Sequence, residues 1–345
     1  MRNKKVTFAD IAKYTGFSKT TVSRYFNDPD SMTLENRKKV SDALSTLGYQ
    51  ENKVGRILAN GRTEFIGIIV PNLYMQYYAE IIHQVLKSYA QYGYKFVLFE
   101  GDLIEERERQ YIHELLAYNV EGIIILSHTL PSKELADYGI PIVAIEREDE
   151  FISSVNTDNL MGGMQATSLL HKCGCDRLFF FDSKPTHPTP SKQRKIGFEN
   201  ICNEFSIPYE ITTKSMGRTY ATNYAAISEI MEDIIARFPD IKKGIFCGND
   251  TYASIAVTWL YKRFGSYPDD FAIVGFDGSP ASANAIVPIT TIGQQIDVIA
   301  ATALQLLTGQ IEARHRREPV ELPIRHEVVT PVVIARETAM PTGIA

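Results

Sequence analysis

The chain has 345 residues, 36 Lys+Arg against 41 Asp+Glu, and a formal net charge of −5. With 44% hydrophobic and 22% charged residues, it is globular in composition and long enough for more than one core, which excludes disordered and fibrous classes. No run approaches the length of a membrane span. Cys173 and Cys175 form a C-x-C, Cys202 and Cys247 lie far off, and no histidine stands at zinc-ligand spacing, so the four read as reduced thiols with no metal or other cofactor expected.

The charge is unevenly placed. Residues 1–62 carry 12 Lys+Arg and 6 Asp+Glu, while the remainder carries 24 and 35, so a cationic end is joined to an acidic body. Within that end, TFADIAKYTGFSKTTVSRYFN (7–27) has the spacing of a helix-turn-helix. Ala12 is small where two helices cross, Gly16 can take the positive φ of the turn, and Val22 returns to the buried face. Ile11, Tyr14 and Phe26 are expected to fill out the core. Thr7 with Asp10 resembles a capping box, and Ser18 is placed to cap the second helix. A third helix is expected from Thr33, with Leu34, Val40, Leu44 and Leu47 as its apolar face and Gly48 as its stop.

The second helix of such a unit enters the DNA major groove N-terminus first. Lys19 and Thr20 should then meet base edges, with Ser23 and Arg24 further along the exposed side. Lys4, Lys5, Arg37 and Lys38 are candidates for phosphate contacts. The segment ENKVGRILANGR (51–62) has one apolar side, Val54, Ile57 and Leu58, but with Gly55 inside it should be marginal as an isolated helix.

From Glu64 onward the pattern changes. FIGIIVP (65–71), YKFVLFE (94–100), VEGIIILS (120–127) and IPIVAIER (140–147) are apolar runs suited to a parallel sheet buried on both faces, with amphipathic helical stretches between them. A second series follows at 176–183, 209–215, 243–250 and 271–278. About 280 residues suit two doubly wound α/β lobes with a cleft between them better than one sheet.

Taken in order, VTFADIAKYTGFSKTTVSRYFN, NRKKVSDALSTLGY and NKVGRILANGRTEFIGIIVPN resemble the lactose repressor/galactose repressor (LacI/GalR) family of bacterial transcription regulators. The resemblance implies an all-α helix-turn-helix headpiece (1–50), a hinge helix (51–62) and a periplasmic-binding-protein-like core (63–345). It also implies several chain crossings between lobes, placed here at lobe 1 about 63–160 and 291–323, and lobe 2 about 161–290 and 324–340. In that family two hinge helices pair in a dimer and a leucine from each, matched here by Leu58, wedges into the minor groove. The residues expected to face DNA are Thr7, Ser18, Lys19, Thr20, Ser23, Arg24 and Asn27, with Asn52, Val54 and Leu58 in the hinge.

Ligands of open α/β folds sit beyond the carboxyl ends of the strands. That rule selects Asn72, Tyr74 and Tyr77, then Ser127, Arg147, Asp158, Asn249 and Asp250, and finally Phe276 and Asp277. Arg194 begins a helix facing the same region and matches a family position that grips the effector. Asp, Asn and Arg can each hold adjacent hydroxyls while Tyr and Phe cover a pyranose face, so a sugar or sugar phosphate is expected. Duller roles stay open: Asp158 and Asp250 can be helix caps, Asn249 a turn residue, Tyr77 part of a helix core, and Arg147 a partner of Glu146 or Glu148.

Two other classes compete. Asp158, Asp250, Asp277 and Glu146 contain a possible carboxylate pair for glycoside chemistry, but no phosphate loop or nucleophile elbow accompanies them, so no enzyme is expected. A secreted sugar-binding transport protein would share the core, yet Met1 to Asp10 lacks the apolar run of a signal peptide. The expectation is a cytoplasmic, non-membrane homodimer on palindromic operator DNA, released by a sugar. Corepression, in which ligand tightens DNA binding, uses the same parts. Polar residues from Glu337 to Ala345 show no leucine heptads of a tetramer-forming tail.

Gly55 stands where the family commonly has alanine, and a glycine costs about 1 kcal/mol of helix stability. Gly55→Ala is therefore expected to bind operator more tightly than the parent in a DNA titration; equal or weaker binding would remove the argument.

Overall fold

The computed structural model describes residues 6–50, 61–147, 150–184 and 189–341. Two compact units are present, 1–62 and 63–345.

In the first unit, α1 (Phe8–Thr15), α2 (Lys19–Asn27) and α3 (Leu34–Leu47) pack around Ile11, Ala12, Val22, Val40 and Ala43. Thr7 donates its N–H and hydroxyl to the Asp10 carboxylate at 2.8 and 2.7 Å, fixing the start of α1. Gly16 ends that helix at φ 75° and donates its N–H to Ala12 O. Ser18 and Thr33 accept from the N–H groups of Thr21 and Asn36, capping α2 and α3, and Gly48 closes α3 at φ 62°. Against this core the ring of Phe8 stacks on that of Phe26, and Tyr49 meets both at a tilt.

Two expected core residues lie outside it. Tyr14 is 58% exposed, because Thr15 occupies that face of α1 and bonds its hydroxyl back to Ile11 O at 2.8 Å. Leu34 is 82% exposed; it opens α3 about 120° around the helix from Val40.

The second unit runs β1 (Phe65–Val70), α4 (Gln76–Lys87), α5 (Tyr89–Tyr92), β2 (Lys95–Glu100), α6 (Glu105–Ala117), β3 (Gly122–Ile125), α7 (Ser132–Asp137), β4 (Ile142–Ile145) and β5 (Ser153–Thr157). It continues with α8 (Asn159–Lys172), β6 (Arg177–Ser183), α9 (Ser191–Glu204), β7 (Tyr209–Lys214), α10 (Tyr220–Arg237), β8 (Lys243–Cys247), α11 (Asp250–Phe264), β9 (Phe271–Asp277), α12 (Pro280–Ala283) and β10 (Thr290–Gly293). The last elements are α13 (Ile296–Arg314), β11 (His326–Val329) and β12 (Val332–Ile334). One sheet has the order β11-β5-β4-β3-β1-β2 and the other β12-β10-β9-β8-β6-β7. All pairings are parallel except β12 with β10. The Val- and Ile-rich strands of the first sheet are buried on both faces, between α13 and α4 on one side and α6 and α7 on the other.

The chain passes between the lobes three times: after Thr157, after Gly293 and after Val329. Two expected boundaries need correction. Residues 290–293 belong to the second sheet, so the return to lobe 1 starts beyond them rather than at 291. Residues 326–329 belong to the first sheet rather than to lobe 2. There they satisfy the edge of β5, with Ser154 N–H donating to Arg325 O and Asp158 N–H to Val329 O. The three passages are stitched together: Thr157 donates to Gln294 Oε1 at 2.6 Å, and Gln295 Nε2 donates to Thr330 O at 2.8 Å.

Helices α8 and α9 meet backbone to backbone. A Cβ on Gly163 would lie 2.2 Å from Arg194 O, and one on Gly197 would lie 2.3 Å from Leu160 O. Because a carbonyl cannot yield as a side chain does, Gly163→Ala should destabilise the second unit by about 1–3 kcal/mol. Urea unfolding measures this, and an unchanged midpoint would show that the crossing is not tight.

Candidate functional site

Between the lobes lies a cleft of about 620 Å³. Lobe 1 contributes Asn72, Tyr77, Tyr78, His128 and Glu146 to its walls, lobe 2 contributes Asp182, Arg194, Arg218, Asn249, Tyr252 and Asp277, and the passage between them contributes Gln294. Most of these stand just beyond strand carboxyl ends, where parallel strands hand the chain to loops and helix starts. Asn72 follows β1 and accepts from Met75 N–H at 3.1 Å, opening the turn into α4, whose first residues include Tyr77 and Tyr78. Asn249 follows β8 and caps α11 through Tyr252 N–H at 2.9 Å.

Arg194 is the hub. It is only 8% exposed, donates Nε to Asn159 Oδ1 and Nη1 to Gly248 O, both at 2.7 Å, and lies 3.7 Å above the centre of the Phe276 ring. Its guanidinium sits 3.6 Å from the Glu146 carboxylate of lobe 1 and 3.8 Å from the Asp277 carboxylate of lobe 2. Those separations pair the charges but exceed hydrogen-bond reach, so a hydroxyl entering the cleft has acceptors and donors to complete. Glu146 and Asp277 both have positive φ, 53° and 115°, unfavourable for non-glycine residues and held by surrounding bonds. Glu146 accepts from Asn159 Nδ2 at 3.1 Å, and Asp277 from Gln294 Nε2 at 2.8 Å. Burial pushes the Asp277 carboxyl well above the usual carboxylate range, with Arg194 pulling the other way. The Tyr77 hydroxyl is also pushed up by burial and by Glu146 and Asp277, so it remains a protonated donor.

Of the eleven residues selected from the sequence for a ligand, the cleft brings together Asn72, Tyr77, Arg194, Asn249 and Asp277. The other six lie elsewhere. Phe276 is wholly buried under Arg194 and supports the site from below. Ser127 is buried and bonds to Glu108 and, at 2.9 Å, Thr129. Arg147 turns away from the cleft, donating to Ser127 O at 3.1 Å and to Leu130 O, which fixes the loop before α7. Asp158 caps α8 through Met161 N–H at 2.9 Å and borders a separate groove on lobe 2. Tyr74 is half-buried outside the cavity wall. Asp250 is not the cap of α11; it is wholly buried and accepts from Ser279 N–H, Ser279 Oγ and Thr291 Oγ1 at 2.7, 3.0 and 2.5 Å.

Sequence reasoning missed Tyr78, His128, Asp182, Arg218, Tyr252 and Gln294 as wall residues, and weighed Glu146 only as part of a carboxylate pair. Asp182 was within reach of the end-of-strand rule, since it closes the run RLFFFD. Gln294 follows a short polar strand that carries no apolar signal.

In the first unit, Lys19, Thr20 and Arg24 are exposed on α2 while Val22 is wholly buried, so the helix offers a cationic outer side; Ser23 is half-buried on it. Thr7 and Ser18 are exposed at the helix starts, and Asn27 ends α2. Arg37 is engaged by Asp30 at 2.9 Å. Asn52, Val54, Gly55, Ile57 and Leu58 lie outside the described residues.

Residues 7–52 match the family described as bacterial regulatory proteins, lacI family, and residues 167–338 match the periplasmic binding protein-like domain. The ribose operon repressor of Halalkalibacterium halodurans is 31% identical over 333 residues, 96% of each chain. The sucrose operon repressor of Pediococcus pentosaceus is 29% identical, covering 88% of this chain and 91% of that one. Among solved structures, a periplasmic binding protein/LacI transcriptional regulator from Alkaliphilus metalliredigens complexed with D-xylulofuranose has a TM-score of 0.71 at 26% identity, covering 80% of this chain and 99% of that one. The Lac repressor dimer bound to operator and an anti-inducer shares the fold, with a TM-score of 0.78 at 20% identity over 97% of this chain and 99% of that one.

Asp250 carries a pH test. Burial lifts its carboxyl to about 6, above the unfolded value near 4, so the folded state keeps a proton there that the unfolded chain releases. This group's contribution is then fully present below about pH 4 and is lost as the pH rises to about 6, by about 2–3 kcal/mol in all. Asp250→Asn should flatten that stretch of the stability curve, read by urea unfolding between pH 4 and 7; an unchanged slope would contradict the assignment.

Proposed function

Since this chain belongs to the lacI family of bacterial regulatory proteins, we propose that a sugar is the effector of the cleft and that its binding releases a homodimer from a palindromic operator upstream of carbohydrate-utilisation genes. The protein is a ligand-responsive DNA-binding repressor and not an enzyme. The reading places it in the cytoplasm. Relatives are named for the ribose and sucrose operons, and related structures are described as holding D-xylulofuranose and cellobiose.

The observation that carries the reading is the position of Arg194. The guanidinium touches a carboxylate from each lobe beside the passage through Gln294, so a ligand that engages it senses both lobes at once. A polyhydroxyl ligand suits the walls: Asn72, Asn249, Asp277 and Gln294 offer donors and acceptors, while Tyr77 and Tyr78 offer ring faces for the apolar side of a sugar. In the headpiece, Lys19, Thr20, Ser23 and Arg24 are the residues proposed to read bases, with Thr7, Ser18 and Asn27 at the backbone and Asn52, Val54 and Leu58 in the hinge.

One headpiece offers few contacts, so two copies on a symmetric site supply the selectivity. If ligand favours one arrangement of the lobes and operator the other, each weakens the other by the same coupling energy. Arg194→Ala should bind operator as the parent does yet fail to release it when the inducing sugar is added, in a fluorescence anisotropy titration. A variant that releases DNA at the parent's sugar concentration would show that Arg194 has no part in the response.

A further inference from the structure

The floor of the cleft is acidic. Glu146, Asp182 and Asp277 face it with a single guanidinium, Arg194, and Arg194 is already shared between two of the three carboxylates and the Gly248 carbonyl. Arg218, the other lining arginine, is held at the lip by Asp102 across the lobes, at 2.8 Å from its carboxylate. Lys184 stands exposed at the rim.

Asp182 is built into this floor. It is the penultimate residue of β6, is 5% exposed, and accepts from Ser183 N–H at 2.7 Å. Its carboxylate lies directly on the backbone of Gly248: a Cβ there would stand 2.3 Å from Asp182 Cγ and 2.4 Å from Oδ1. A glycine at 248 is thus what lets a carboxylate reach the cleft beside Arg194. An independent sign that the floor is made for a ligand is Tyr77, which is 6% exposed, lines the same cavity and has a hydroxyl with no partner.

We infer that Asp182 sets the charge selectivity of the cleft, so that the effector is an unphosphorylated sugar and phosphorylated sugars are rejected. The inference rests on the proposal that the effector is a sugar. Carboxylates are acceptors only, and sugar hydroxyls donate to them; a phosphate group is also acceptor-only and carries negative charge, so from the Asp182 carboxylate it gains no bond and meets repulsion. The selectivity is chemical rather than steric.

The test uses the full-length chain and matched pairs: D-ribose and ribose 5-phosphate, D-fructose and fructose 6-phosphate, D-glucose and glucose 6-phosphate, sucrose and sucrose 6-phosphate. Thermal shift finds the pair that binds, and calorimetry gives both affinities. The free sugar is expected to bind at least tenfold more tightly than its phosphate, and Asp182→Asn is expected to narrow that ratio to about threefold or less while leaving the unliganded melting temperature near the parent's. Asp182→Ser provides the same readout should the amide disturb folding. A phosphorylated sugar that binds as tightly as its free partner overturns the inference and leaves the sugar reading standing. An unchanged ratio in both variants overturns the role of Asp182. A panel in which no member binds overturns the sugar reading, and the inference with it.

Discussion

A buried guanidinium flanked by two carboxylates from different lobes is the constraint on which the rest of the cleft depends. A charge so deeply placed is tolerable only while its partners stay in reach, and removing one partner of such a group costs about 3–5 kcal/mol. Arg194 therefore ties Glu146 of lobe 1 to Asp277 of lobe 2 through their shared attraction to it. Neither ion pair is closed into a hydrogen bond, and the unfilled reach is what a ligand hydroxyl can occupy. The same side chain is oriented from below by Phe276 and laterally by Asn159 and Gly248, so its position is set by the fold before any ligand arrives.

That position depends in turn on backbone geometry some distance away. The contact between α8 and α9 through Gly163 and Gly197 decides how deeply α9 sits, and α9 carries Arg194. The bonds among Thr157, Gln294 and Asp277 join the passages between lobes to the cleft floor. Asp250 performs the matching task inside lobe 2, fixing Ser279 and Thr291 beside the strand that ends in Asp277. Binding chemistry and hinge are thus parts of one hydrogen-bonded network, which is what a coupling between ligand and lobe arrangement needs.

Much of this was legible in the residues. The helix-turn-helix follows from Ala12, Gly16, Val22 and their caps, because small, permissive and apolar residues at those spacings leave few other folds. Strands that read as unbroken apolar runs appear as strands, since burial on both faces writes itself into composition. The strands β5, β10, β11 and β12 carried no such signal: SSVNT and TTIG are mostly polar, HEVV and VVI are only four and three residues long, and with them went the correct boundaries of the lobes. In the cleft, the end-of-strand rule finds the right region but not the direction of each side chain. Arg147 and Ser127 stand at strand ends as Asn72 does, yet they spend their polar atoms on loop carbonyls and on Glu108, a choice made by tertiary packing alone.

The placement of β11 and β12 has a consequence for how the molecule is made. One joins each sheet, only two residues apart, and α13 covers the first sheet although it is synthesised after five of the six strands of the second. During translation the first layer lacks its last strand until residue 329 has left the ribosome and the second until residue 334, so neither lobe is complete long before the other. The nascent chain must instead keep two unfinished edges from pairing wrongly and then complete both nearly together, a topology that favours slow, concerted maturation and chaperone attendance over stepwise assembly.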